Sequence, residues 1–544
     1  MRKNKILDYR WNDLNLIKKD YKKAIFYYNF FLNDLHKNLN NYHKIKYSRK
    51  FWDIVIGPWL IEFIVILIDK YFIIKSLKRN KNLNLKYKII KKVDFIPKDY
   101  HSSRFIYQDE VWNNFILYNY IKNFFSELRL KKTTLNYSFD KHETKNNLFF
   151  FKFIFNFVLK FFSSNKIFFK NTSLGFFNEL KLRLKLRFFL IFPEYNCNNN
   201  KIDFDFRKIK NNKKRNILNF FKDQIYLNLP KSYLENFLKI KSYYNNIEYL
   251  KNFKIIFTTM DHIASDNFKI WMADSAENYK SKTIIGQHGG GYNIINRSAD
   301  SDLEEKRYNF FLSWGTFGKT NNKKNISLFN LKTSGRSKFK KNLDSLAYIA
   351  IIQNPPLQFS KHLRTSDLYY SQIQEYNKIQ LNLLRNLSTY NLSSVIIKLY
   401  NNKLIKYEQN FFSKEFPNLK YIGHDYPVKK IYRKSKIIIC NSLTSTTFLE
   451  CISLNKPIII LRDYYLKSFK KDFIENLLLM KNIGLIYNNP IKLAYFLNKG
   501  NDVITDWWYS SKFQISLNKI KKDISKHEKN PIDKLSNILI SKIN

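Results

Sequence analysis

The second half of the chain is punctuated by short, β-branched apolar runs at Ala347 to Ile352, Ser394 to Leu399, Leu419 to Ile422, Lys436 to Cys440, Pro457 to Leu461 and Gly484 to Tyr487. Each is too short for a helix and is followed by a longer helical or loop stretch, so each predicts a strand. The clearest intervening helix spans Ser366 to Leu387, where Tyr369, Ile373, Tyr376, Ile379 and Leu383 recur on one face. An earlier unit repeats the plan: a strand over Lys254 to Thr258, a helix from Asp266 with Phe268, Trp271, Met272, Ala276 and Tyr279 aligned, and a strand over Thr283 to Gly286. Alternating strands and helices build parallel, doubly wound sheets. The pattern predicts an α/β protein with two Rossmann-like domains facing a cleft.

The chain before Pro230 reads as a largely helical extension, with an Asn- and Lys-rich surface insertion near Asn196 to Asn216. Its longest apolar stretch, Ile54 to Ile68, contains Gly57, Pro58 and Glu62. That is shorter than the ~20 residues of a spanning helix and predicts a buried helix behind a Gly-Pro turn. Phe149 to Phe162 carries Lys152, Asn156 and Lys160 down one side, the pattern of a surface helix packed on its domain or resting on lipid. The polar stretch Lys319 to Asn342 predicts a linker. The expected organisation is an N-terminal domain with its extension over 1–330, a second α/β domain over 331–500, and a helical tail over 501–544 that crosses back to the first domain.

Across 544 residues, 95 Lys and Arg against 44 Asp and Glu leave a formal charge of +51, yet 44% hydrophobic and 17% aromatic residues exclude a disordered basic chain. The basic residues are spread out, and Lys, Asn and Ile are abundant as in an AT-rich coding sequence. A solvated lysine-rich surface therefore explains the charge first, and an anionic membrane face is the next attraction to consider. No zinc-finger spacing or RNP-type aromatic motif supports nucleic-acid binding. The cysteines Cys197, Cys440 and Cys451 are too few and too separated for a disulfide framework, which fits a reducing, cytoplasmic setting. The opening MRKNKILDYRWNDLN holds no apolar core of signal-peptide length.

Two stretches carry chemistry. In IGQHGGGYN, a strand ends at Gln287 and His288 and runs into Gly289, Gly290 and Gly291, followed by Tyr292. Consecutive glycines let backbone approach a ligand, and a histidine at a strand's carboxyl edge faces the crevice where open α/β sheets bind ligands. His288 is thus a candidate general base toward a hydroxyl, or, protonated, a partner for a leaving phosphate. The spacing fits neither a dinucleotide fingerprint nor a Walker loop. In the second stretch, the strand ending at Cys440 gives way to Asn441, Ser442, Thr444 and Ser445, and a helix begins near Thr446 and Thr447 with Glu450 one turn in. A helix N-terminus beside several hydroxyls suits a phosphate or diphosphate, and a carboxylate there can accept from sugar hydroxyls. Ordinary N-capping accounts for one hydroxyl, not five.

The strand, hydroxyl turn, Thr-Thr-x-x-Glu helix and Asn-Lys-Pro strand resemble the donor half of GT-B glycosyltransferases and related glycerophosphotransferases, which carry a His-Gly element in their other half. More closely, the chain resembles a family of transferases encoded in bacterial surface-polysaccharide loci. The matching elements are FWDIVIGPWLIEF from Phe51, IIGQHGGGYN from Ile284, LSWG from Leu312, NSLTSTTFLECISLNKP from Asn441 and DWWYSSKFQ from Asp506.

The resemblance implies a GT-B-like fold and an enzyme of surface-polysaccharide synthesis (O-antigen or capsule). Such an enzyme moves a sugar or sugar-related group from a nucleotide-activated donor to a carbohydrate acceptor, for which lipid linkage is one form. It implies no cofactor beyond the nucleotide sugar and no metal. Peripheral contact with the inner face of the cytoplasmic membrane is compatible with it. Carried over by position, His288 is the catalytic candidate, and Lys398, Asn441, Ser442, Thr444, Ser445, Thr446, Thr447 and Glu450 are donor-binding. Gln287, Gly289, Gly290, Gly291 and Tyr292 line the cleft. The chain departs from the family pattern at Asn293, where a second glycine is usual, at Thr316, in place of a tryptophan, and at Lys398, in place of an arginine whose planar fork is lost. The rival readings are a catalytically silent carbohydrate-binding or scaffold protein of the same fold and, further off, a basic nucleic-acid-binding protein.

Overall fold

The computed structural model describes residues 9–78, 85–90, 95–125, 130–135, 159, 162–164, 166–196, 201–208, 216–316, 324–341, 348–356, 358–400 and 405–543. Most of the expected surface helix over 149–162 and parts of the insertion over 196–216 lie outside them. Two long helices open the described chain. Helix α1 (Leu14–His43) starts at Asp13, whose carboxylate accepts from the Asn15 and Leu16 amides, and ends at Lys44 in the left-handed region, φ 53°. Helix α2 (Arg49–Lys78) contains Pro58 in its interior.

The Gly-Pro turn expected at Gly57 and Pro58 is therefore replaced by continuous helix. Proline removes one backbone donor and normally breaks a helix, but from Trp52 through Ile68 α2 is mostly apolar and, apart from the half-buried Asp53, buried. Packing holds it through the defect. By length and apolarity alone α2 would pass for a membrane span, yet its apolar window is enclosed by protein, the position of a core helix. Gly57 is small because three side chains converge on it: a Cβ there would lie within 2.8 Å of Tyr28 Oη, Asp53 Oδ1 and Arg307 Nε. The buried Arg307 donates to Asp53 Oδ1 (2.8 Å) and to Tyr28 Oη (3.0 Å).

The helical part also contributes strands. β1 (Leu85–Ile90) and β2 (Leu130–Leu135) pair in parallel. β3 (Ile167–Lys170) joins the first large sheet, whose order is β3-β4-β5-β6-β7, all parallel, with β4 (Ile255–Thr258), β5 (Lys282–Gly286), β6 (Phe310–Ser313) and β7 (Asn325–Ser327). Helix α3 (Asp266–Asn278) makes the β4–β5 crossover and packs on α2; helix α4 (Ala299–Arg307) precedes β6 and carries Arg307.

The second sheet has the order β10-β9-β8-β11-β12-β13, again all parallel, from β8 (Tyr348–Ile352), β9 (Val395–Lys398), β10 (Lys420–Ile422), β11 (Ser435–Cys440), β12 (Ile458–Leu461) and β13 (Ile486–Tyr487). The chain starts in the middle at β8, runs outward to β10 and returns to β11 on the other side. The switch point lies between β8 and β11, where open α/β sheets form their ligand crevice.

The helix expected from Ser366 begins later, as α5 (Ile373–Arg385) after a short 3-10 turn. Residues before it are kept out of the helix by tertiary bonds, with a turn at Thr365 and Ser366: the Thr365 amide donates to Arg297 O (3.1 Å), its hydroxyl to Ser468 O (2.7 Å), and the Ala299 amide to Leu363 O (3.2 Å). The described part of the expected linker Lys319 to Asn342, residues 324–341, is likewise not loose, and the remainder lies outside the described residues. β7 lies within it, and Asn330, Thr333 and Ser334 are fully buried. Their polarity is satisfied by Ser525, Ser453 and the Glu528 amide at 2.9, 2.7 and 3.0 Å.

The last helices, α7 (Asn501–Tyr509), α8 (Ser511–Ile524) and α9 (Pro531–Ile540), follow the second sheet and its helix α6 (Thr446–Ser453). Ser525 Oγ donates to Leu449 O in α6 (2.7 Å), while the Lys526 amide donates to Trp314 O (2.7 Å) at the end of β6. Leu535 and Leu539 complete the core of the first half.

Replacing Asp53 by Ala leaves the Arg307 guanidinium buried without its carboxylate partner. Loss of one partner of such a pair costs about 3 kcal/mol, and the expected result is a lower thermal midpoint in the full chain, measured by differential scanning fluorimetry.

Candidate active site

His288 follows β5 directly, and the preceding Gln287 is a bracket between strands. Its amide oxygen accepts from the Trp314 N–H (2.8 Å), its amide nitrogen donates to Gly289 O (2.8 Å), and its backbone N–H donates to Leu312 O (2.8 Å). Both amide atoms are thus spent on holding the glycine loop and the LSWG segment together, and Gln287 is buried rather than offered to the cleft.

The glycine loop rests on the second half of the molecule. A Cβ at Gly290 would sit 2.0 Å from Thr444 O, one at Gly289 would lie 3.6 Å from Thr446 Oγ1, and Gly291 takes φ +96°. Only glycine tolerates the first approach and readily takes the last conformation. Asn293 adopts φ 59°, the left-handed region open to Gly and Asn, so its departure from the family pattern keeps the backbone shape.

Behind His288 lies a polar cluster absent from the sequence reading. Glu304 Oε1 in α4 is 3.1 Å from His262 Nε2 and 3.7 Å from His288 Nδ1. Tyr292 Oη lies 3.1 Å from both Glu304 oxygens and 3.3 Å from both His288 ring nitrogens. His262 is fully buried, and its Nδ1 has no hydrogen-bond partner among the described residues. Donor atoms of His262, His288 and Glu304 all lie within 4.8 Å of one another, close enough to hold a metal ion.

Burial lowers the His288 pKa to about 4, against the opposing pull of Glu304, so the ring is neutral at physiological pH. Glu304 is held below the usual carboxylate range by the two histidines, which outweigh its burial. Burial and Glu304 push the Tyr292 phenol well up, keeping it a protonated donor.

His262 had one readable signal: it follows β4 as His288 follows the adjacent β5, so both lie at the same sheet edge. Glu304 had none, because only the packing of α4 brings it there.

On the opposing side, Asn441 follows β11 at the switch point. Its Nδ2 is 3.5 Å from Asn354 O beyond β8, and its Oδ1 is buried without a hydrogen-bond partner. Ser442 and Thr444 hydroxyls bond to each other (3.0 Å). Ser445 is the N-cap of α6, accepting from the Phe448 amide at 3.1 Å. Thr446 and Thr447 are half-buried on the first turn, Thr446 toward the glycine loop.

Glu450 is buried, with Tyr432 Oη donating to it at 3.4 Å. Burial raises its pKa, opposed by Lys332, Lys429 and Arg336 around it. Lys332 comes from the buried connection after β7, and its charge acts on both His288 and Glu450.

Lys398, assigned by position to the donor site, stands elsewhere in its bonding. Its Nζ donates to Gly423 O (2.7 Å) and His424 O (2.9 Å), closing the turn after β10. An ammonium can satisfy two carbonyls at a strand end, and the phosphate-facing geometry expected of an arginine is not reproduced. Thr316 binds the tail instead of the cleft: its amide donates to Lys522 O (3.1 Å) and its hydroxyl to Asp523 Oδ1 (2.9 Å).

No curated protein matches the sequence. Among solved structures, the chain is similar to the wall teichoic acid polymerase TagF, at 14% identity over 56% of this chain and 84% of that one, with a TM-score of 0.32. It is similar to TarM at 10% identity over 55% and 57%, TM-score 0.36, and to MurG of Acinetobacter baumannii at 10% over 56% and 76%, TM-score 0.32. The sequence profile of the LIC12162 family of transferases matches residues 2–539, almost the whole chain, and the protein belongs to that family.

Proposed function

We propose that the protein is a GT-B-type transferase that moves a sugar or sugar-related group from a nucleotide-activated donor to a hydroxyl of a carbohydrate acceptor in bacterial surface-polysaccharide synthesis. What supports this reading is the close approach of the glycine loop that follows His288 to the Thr444–Thr446 turn at the N-terminus of α6. In the proposed step, His288 takes the acceptor hydroxyl proton while the acceptor oxygen bonds to the transferred carbon, and the bond from that carbon to the donor phosphate breaks. The N-terminal amides of α6, Thr446 and Lys332 take up the charge growing on the leaving nucleotide phosphate. Asn441 Oδ1 and Glu450 serve as acceptors for donor hydroxyls. Glu304 keeps the imidazole oriented, and we assign proton transfer rather than metal chemistry to the cluster, with no cofactor beyond the donor.

His288→Ala should lower kcat by about 10²- to 10⁴-fold in a transfer assay with nucleotide-linked donors; undiminished turnover would falsify the assignment. Lys332→Met should weaken donor use by roughly 10- to 100-fold, whereas Lys398→Met should act mainly on stability, a contrast read from donor KM alongside the thermal midpoint.

The acid limb of kcat/KM should lie near the His288 pKa of about 4 and not near 6.5. Glu304 raises that pKa, so Glu304→Gln should shift the limb lower still. Because the ring is harder to protonate when folded, the unfolded state binds the extra proton between about pH 4 and 6.5. His288 therefore makes stability rise with pH across that window and adds no further change above it.

A further inference from the structure

The helix Phe176–Leu186 carries two apolar stripes where a surface helix needs one. Leu182 and Leu186 point inward, 0% and 9% exposed. Phe176, Phe177, Leu180 and Leu184 are 77%, 77%, 44% and 59% exposed. At about 100° of turn per residue these four share one arc of about 100°, separate from the buried pair. Lys181, Lys185 and Arg187 are exposed along and beyond that arc, Lys185 also pairing with Asp533. Phe162, 66% exposed, adjoins the helix end, where the Ser164 amide donates to Arg187 O at 2.6 Å.

Phe176 and Phe177 pack edge to face on each other, ring centroids 5.5 Å apart, and both stay largely exposed. The face is a contiguous apolar strip edged by cations, the pattern of a helix lying in a lipid interface.

We propose that this face seats the protein on an anionic bilayer, the apolar arc entering the acyl boundary and Lys181, Lys185 and Arg187 meeting the headgroups. Charge selects lipid over a second copy of the chain, since a symmetric pair would set the same cations against each other in a molecule of formal charge +51. The position of the helix joins the surface to the cleft. A Cβ at Gly175, the residue before it, would lie 3.1 Å from the Arg336 guanidinium, and the charge of Arg336 acts on Glu450. Asn178 Nδ2 donates to Ser334 O at 3.3 Å on the same connection. Docking by this face holds the donor side of the cleft beside the membrane.

The test is co-sedimentation of the full chain with phosphatidylcholine vesicles, with and without phosphatidylglycerol. The wild type should bind the anionic vesicles and bind the neutral ones much more weakly. The combined Phe176→Ser, Phe177→Ser and Leu184→Ser variant should lose about tenfold or more in partitioning, with an unchanged thermal midpoint because the positions are exposed. Should that variant unfold, Lys181→Glu with Arg187→Glu gives the same reading through loss of the anionic preference. Wild type that ignores anionic vesicles, variants that bind them undiminished, or a wild-type dimer in sedimentation velocity that the triple variant dissociates while vesicle binding persists would each overturn the proposal.

Discussion

The site exists because two backbones touch. Gly290 lies so close to the Thr444 carbonyl that no side chain fits between them, and Gly289 and Gly291 flank that contact against Thr446 and Ile295. Each half of the molecule supplies one wall, so the relative position of the sheets must hold to within tenths of an ångström. The structure secures this at several points. The connection through Asn330 to Ser334 is buried, the segment before α5 is tied to the start of α4, and the tail runs from α6 back to the end of β6. Gly315 repeats the device of the glycine loop: a Cβ there would lie 2.0 Å from Asp523 O.

The helical extension serves the same end through α4. Arg307 is anchored by Asp53 and Tyr28 of the long helices, and Glu304 stands three residues earlier on the same short helix. A buried ion pair gives little net stability, but it fixes register. Here it fixes the height at which the Glu304 carboxylate meets His262, His288 and Tyr292. Burial alone would favour the uncharged acid; the two imidazoles and the phenol keep it ionised. The neutral His288 imidazole that results is held beside an anion.

The large positive charge of the chain says little about where cations act. Lys398 and Lys332 both have ammonium groups depressed by burial, yet one donates to two carbonyls and closes a turn while the charge of the other acts on both His288 and Glu450.

Local signals had already announced β4 and β5 of the first sheet, the six strands of the second, α3, the hydroxyl turn and the glycine loop, because alternation, apolar runs and glycine clusters act over a few residues; β3, β6 and β7 were not announced. The same locality misled at Pro58, where long-range packing outweighs a lost hydrogen bond, at Ser366, where tertiary bonds hold a turn in place of helix, and at 324–341 of the expected linker, where polar side chains find buried partners. Glu304 and Lys332 could not be read at all. Their roles arise from distances between segments far apart in the chain, and such distances are set by packing and not by neighbouring residues. The amino-acid order determined which segments form sheets and which residues could do chemistry; the tertiary structure alone decided which of them meet.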